Sequence, residues 1–185
     1  MFSPALEQAL TISLEAHNGQ LRKGGETPYV VHPLHVGFLL ARYGAEEDVI
    51  LAGLLHDVVE DSEEWTLERL EDCFGTRVRA IVAELTEDKS RSWRERKQTA
   101  VQHAPGMSPE AALVKACDKL HNLSCLAAQL EQAAVAEEVW KSFRGGRAET
   151  LEMDRQLVEA LAPRVDPSLA AALRAAQAAV EAQAG

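Results

Sequence analysis

Val49-Ile50-Leu51-Ala52-Gly53-Leu54-Leu55 runs straight into His56-Asp57-Val58-Val59-Glu60-Asp61, so an imidazole and three carboxylates abut an apolar segment. Ionisable groups against a buried helix cost several kcal/mol unless they are paired, hydrogen-bonded or bound to metal. On a helix, His56 would lie one turn below Glu60 and Asp57 one turn below Asp61, giving one compact polar cluster. A second signal is Thr27-Pro28-Tyr29-Val30-Val31-His32-Pro33. The proline biases His32 towards an extended backbone and itself opens a helix, so the imidazole is held rigidly at a helix start. A third is Lys115-Ala116-Cys117-Asp118-Lys119-Leu120-His121-Asn122, where Asp118 shares a helical stripe with Val114, His121 and Cys125. A plain Asp–Lys helix pair is the alternative there, and packing is the expected role of His35. Taken together, His32, His56, Asp57 and Asp118 supply a mixed nitrogen and oxygen set. Such a set suits one divalent ion such as Mn²⁺, with positions open to water and substrate.

Were the substrate a phosphoryl ester, the reaction would need a Lewis acid, a carboxylate to orient water, and local positive charge. The chain as a whole is acidic, with 19 Lys plus Arg against 29 Asp plus Glu and a formal charge of −10. Positive charge must therefore be concentrated. Residues 89 to 97 hold Lys89, Arg91, Arg94, Arg96 and Lys97. They make either a solvated basic helix or a phosphate grip, and spacing alone does not choose.

The elements that would position these groups are helical. Pro4 lies in the first turn of a helix towards Gly19, Pro33 opens a second stopped by Gly44, and a third starts near Glu46. The third is apolar on all sides and so buried. Thr66 caps a helix ending at Gly75, and Thr76 caps the next through Leu85. Ser108-Pro109 opens a long helix through Leu130, and another covers the mid-130s to Leu161. Asp166-Pro167 begins an Ala-rich C-terminal helix over 166–183 with a stripe of Leu169, Leu173, Ala176 and Val180. The sum is one all-α domain over 1–185, a bundle of about eight to ten helices.

Length and composition agree with that. With 46% apolar and 26% charged residues in 185, the chain is an ordinary globular domain. Its acidity disfavours nucleic acid and anionic membranes as partners. No apolar run approaches the roughly 18 residues of a span. Met1-Phe2-Ser3-Pro4 has no signal-peptide pattern, and Cys73, Cys117 and Cys125 form no disulfide framework or zinc knuckle. A cytoplasmic domain with reduced thiols is expected; its oligomeric state stays open.

These motifs resemble the HD-domain phosphohydrolases, and within them the hydrolase domain of the RelA/SpoT homologues, above all the small stand-alone alarmone hydrolases. The matching stretches are His17 to Lys23, Thr27 to Pro33, Leu54 to Asp61, Phe74-Gly75, Thr86 to Lys89, and Lys115 with Asp118 to Leu123. The Pro-Tyr-x-x-His-Pro and His-Asp-x-x-Glu-Asp elements are the most specific. The resemblance implies an HD-domain bundle and hydrolysis of the 3′-pyrophosphate of ppGpp and pppGpp. It implies that His32, His56, Asp57 and Asp118 hold one Mn²⁺, and that Glu60 and Asp61 position the attacking water and exchange protons with it. Arg22 and Lys23 would contact guanine and a neighbouring phosphate, and Asn122 the nucleoside. Lys89, Lys97, Lys115 and Arg147 complete the expected substrate contacts. Relatives commonly carry aromatics just after the Arg144-Gly145-Gly146-Arg147 stretch, where this chain reads Leu151-Glu152-Met153-Asp154. That departure leaves room for removal of a different phosphate, as from NADPH or a nucleoside monophosphate; a third reading is a non-catalytic alarmone-binding module, against which the complete Glu60-Asp61 pair argues.

Overall fold

The computed structural model describes residues 3–184; the expectation placed on Met1 and Phe2 lies outside them. The described residues form ten α-helices: α1 Pro4–Ala16, α2 Val31–Arg42, α3 Glu47–Leu55, α4 Val58–Asp61, α5 Leu67–Leu85, α6 Trp93–His103, α7 Pro109–Gln132, α8 Ala136–Trp140, α9 Gly146–Leu161 and α10 Pro167–Gln183. Two short 3-10 turns follow α6 and α9. Among the described residues there is no strand, only one antiparallel bridge between Leu21 and Pro28. The all-α expectation is met.

Helix starts follow their caps. Ser3, Thr66, Ser92, Ser108 and Asp166 each accept a backbone N–H from the following turn, leaving fewer of the orphan donors that every helix start presents. At α6 the capping is reciprocal, because Glu95 also reaches back to the Ser92 backbone N–H. The long helix α7 forms the spine, packed against α10, α2, α3 and α5, while α3 also packs on α1. Leu51, Leu54 and Leu55 of α3 and Val114, Leu123 and Leu126 of α7 are all buried in the core between them. That burial explains why α3 carries no polar residue after its first turn, from Val49 to Leu55.

Four boundaries differ from expectation. Helix α2 begins at Val31, so His32 lies inside its first turn instead of on an extended residue before Pro33. The His32 N–H closes onto the Tyr29 carbonyl at 2.8 Å, winding the chain early. A proline at the third helical position removes only an N–H that the helix leaves unpaired. The third helix stops at Leu55, and Asp57 (φ −98°, ψ −7°) starts the separate α4, so His56 and Asp57 do not continue a helix under Glu60 and Asp61. Gly75 breaks α5 with φ 85° and ψ 169°, but the Thr76 hydroxyl donates to Glu71 Oε1 at 2.8 Å and does not cap. The segment from the mid-130s to Leu161 is two helices, parted by residues 141–145, with Gly146 at φ 60° opening the second. Positive φ is accessible to glycine without the Cβ clash that other residues suffer.

Candidate metal centre and nucleotide cleft

The break between α3 and α4 is what assembles the centre. Buried His32 comes from the start of α2, His56 and Asp57 from the break, and buried Asp118 from the middle of α7. His32 Nε2 lies 3.3 Å from Asp118 Oδ1 and 3.7 Å from Asp57 Oδ2, and His56 Nε2 lies 3.2 Å from Asp57 Oδ2. One donor atom from each of His32, His56 and Asp118 falls within 4.8 Å of the others.

The donor chemistry fits a cation. His56 Nδ1 donates to the Gly53 carbonyl at 2.8 Å, which leaves Nε2 as the lone-pair nitrogen. That Nε2 is buried with no hydrogen-bond partner, an orphan that a metal ion would satisfy. Burial alone would lower the His56 pKa, but the Asp57 carboxylate beside it outweighs this and lifts it to about 9. Asp118 shows the converse balance. Burial would raise its pKa, and Lys115 and His32 drive it well below the ordinary range. Both carboxylates are thus held ionised against the imidazoles. A divalent cation would replace the protons that now balance them.

Tyr29 and His121 buttress the set. The Tyr29 hydroxyl donates to Asp57 Oδ2 at 2.6 Å, and burial together with Asp57 raises its own pKa. His32 Nδ1 meets His121 Nδ1 at 2.8 Å. Burial first, then the charges of His32 and Arg22, push His121 down to about 3, so its ring is neutral.

Glu60 and Asp61 of α4 reach the same cleft. Glu60 Oε1 accepts the Glu87 N–H at 2.7 Å. Burial and the neighbouring charges of Asp57 and Glu87 raise the Glu60 pKa. Asp61 is held by Lys89 at 2.5 Å and lies 3.8 Å from His17 Nδ1. The cleft has a volume of about 590 Å³, which falls within the range of small-ligand sites.

The sequence pattern of the HD domain matches residues 9–147. The chain belongs to the HD-domain family. It is 40% identical over 165 residues to the guanosine-3′,5′-bis(diphosphate) 3′-pyrophosphohydrolase MESH1 of Danio rerio, covering 82% of this chain and 91% of that protein. The Homo sapiens MESH1 is 43% identical over 121 residues, 64% of this chain and 67% of that protein. Among solved structures, a metazoan SpoT orthologue described as hydrolysing ppGpp superposes with a TM-score of 0.81 at 31% identity, covering 95% of both chains. The lmo0812 protein of Listeria monocytogenes matches at 0.72 and 30% identity, covering 81% of this chain and 99% of that one.

In this HD domain, Arg22, Lys23, Lys97, Lys115 and Asn122 all line the cleft. Arg22 Nη2 donates to Asn122 Oδ1 at 2.7 Å, and Asn122 Nδ2 donates to Asp118 Oδ1 at 2.5 Å, tying the expected nucleoside side to the centre. The basic stretch divides by task. Arg96 and Lys97 face the cleft, whereas Arg91 pairs with Asp88 and Arg94 with Glu149 on the exterior. Lys89, expected to contact substrate, does not line the cleft; its ammonium is taken by Asp61 Oδ1 and the Glu60 carbonyl. Arg147 is exposed in the first turn of α9 and does not line the cleft; Thr150, Met153 and Asp154 reach it instead, one to two turns on.

Several HD-domain side chains at the site escaped the sequence reading. Tyr29 and His17 lie inside motifs quoted for other residues, and His121 shares the Asp118 stripe, so spacing carried a signal for each. Glu87 carried none. Its role depends on Arg96 and Lys97 folding back onto its carboxylate at 2.9 and 2.8 Å, a tertiary contact. His35, expected to pack, is exposed on α2, with its ring 4.5 Å from that of His121. No helix among the described residues is long and apolar enough to cross a membrane.

Proposed function

We propose that this chain hydrolyses the 3′-pyrophosphate of guanosine alarmones, converting ppGpp or pppGpp to GDP or GTP and pyrophosphate, with one Mn²⁺ bound by His32, His56, Asp57 and Asp118. The reading is carried by one observation: those four donors converge beside Glu60 in a cleft lined by Arg22, Lys23, Lys97 and Lys115. The MESH1 relatives and the SpoT orthologue support the substrate.

When bound, the metal would supply Lewis acidity, lowering the pKa of a water and neutralising charge on the transferred phosphoryl group. The protein does the rest. Glu60, with a raised pKa and one oxygen pinned by the Glu87 N–H, presents its other oxygen to orient the attacking water and accept its proton. Asp61 assists from a position fixed by Lys89. Water forms the new bond to the phosphorus attached to the 3′ oxygen; the P–O3′ bond breaks, and that oxygen leaves with a proton. Lys97 and Lys115 face the departing pyrophosphate charge, while Arg22, Lys23 and Asn122 face the nucleoside end.

Incubation of the purified protein with ppGpp and Mn²⁺ should release pyrophosphate and GDP in equal amounts. Turnover of NADPH or a nucleoside monophosphate in a parallel assay, with ppGpp untouched, would overturn the substrate assignment. Tight alarmone binding without product would overturn the catalytic one.

A further inference from the structure

Outside the donors already assigned, a further histidine among the described residues reaches the centre from behind. His32 Nδ1 lies 2.8 Å from His121 Nδ1, and Cys125 Sγ lies beside the His121 ring, 3.9 Å from Nδ1 and 3.5 Å from Nε2. His32 and His121 are buried, so water does not compete freely for the contact between them. The exposed His35 ring lies 4.5 Å from that of His121. Asp118, His121 and Cys125 occupy successive turns of α7, so one rigid helix presents both a donor of the centre and the group that touches His32.

Hydrogen-bond direction follows from the ring chemistry. A neutral imidazole has one N–H and one lone pair. His32 Nε2 faces Asp118 and Asp57 and must offer its lone pair there to hold a cation. The proton then resides on Nδ1, which donates to His121 Nδ1. That contact makes His121 Nδ1 the acceptor and places the His121 proton on Nε2. Each ring then has a single consistent tautomer when the cation is held. The opposite arrangement would put a proton on His32 Nε2 and block the centre.

We propose that His121 is a positioning residue that accepts the His32 Nδ1 proton and so keeps His32 Nε2 free to hold the cation. The proposal rests on the reading of His32 as a metal ligand. An acceptor on the remote nitrogen of a ligating histidine commonly governs metal affinity by about 10- to 100-fold. Here a second histidine takes the place usually filled by a carboxylate or a carbonyl oxygen.

The test compares His121→Phe, which keeps ring volume but removes the acceptor, with His121→Asn, whose amide oxygen occupies nearly the position of Nδ1. Mn²⁺ affinity is measured by calorimetry on metal-stripped full-length protein, and folding is checked by thermal melts. The expected result is an affinity about 10- to 100-fold weaker for His121→Phe, with recovery to within about threefold in His121→Asn. Wild-type affinity in a folded His121→Phe protein would overturn the His121 role while leaving the metal centre standing. Failure of the wild type to bind Mn²⁺ would overturn both. If His121→Phe does not fold, His121→Leu takes its place with the same expectation, and wild-type affinity in that variant would overturn the His121 role.

Discussion

Glu60 Oε1 accepts the backbone N–H of Glu87, and the Glu87 carboxylate in turn holds Arg96 and Lys97. One residue therefore links the water-orienting carboxylate of the proposed mechanism to two cations of the cleft. Replacing Glu87 by Gln preserves the backbone bond and removes only the charge. The expected result is a raised KM from misplaced bases with a smaller change in kcat, and a loss of about 1–3 kcal/mol from leaving Lys97 uncompensated. Steady-state kinetics and denaturant titration measure the two effects.

The same carboxylate sets an acid limit. Burial would raise the Glu87 pKa, but Lys97 and Lys115 hold it below the ordinary 4.5. A depressed carboxyl contributes stability that is complete above about pH 4.5 and is lost as pH falls through the lower folded value. The stability of the wild type should therefore fall more steeply below pH 4.5 than that of Glu87→Gln. Denaturant midpoints across that range check it, and parallel slopes would contradict it.

Asp57→Ala should empty the proposed metal site, because it removes an anion 3.2 Å from His56 Nε2 and leaves the Tyr29 hydroxyl without its acceptor. Metal content after dialysis should fall well below one ion per chain, and turnover by about 100-fold or more. Stoichiometric metal in the variant would refute this role.

Glu60→Gln separates binding from chemistry. The amide oxygen still accepts the Glu87 N–H, so the fold and metal content should be unchanged. Loss of the proton acceptor should lower kcat by about 10²- to 10⁴-fold. A variant with full turnover would remove Glu60 from the proton path.

Gly145→Ala addresses the cleft wall. An added Cβ would come within 2.2 Å of the Trp93 ring, which lines the cleft. Moving so large a ring should destabilise the protein by about 1–3 kcal/mol and weaken substrate binding. Thermal melts and KM report the two losses, and an unchanged melting temperature would show that the ring yields freely.

The sequence by itself determined that the chain is helical, where α1, α7 and α10 begin, and which four residues could bind a cation. Those facts are local: proline and serine act on the adjacent turn, and the apolar run Val49–Leu55 can only be buried. Only the tertiary structure decided that α3 ends before His56, because the break places His56 and Asp57 opposite His32 and Asp118, contacts between residues far apart in the chain. It also decided among the bases of residues 89 to 97. Their spacing is equally good for solvent and for a phosphate, and the choice came from Glu87 drawing Arg96 and Lys97 inward while Glu149 holds Arg94 outside. Periodicity specifies which face of a helix a residue occupies; what that face meets depends on the packing of other helices, and charge pairing across that packing gave each side chain its task.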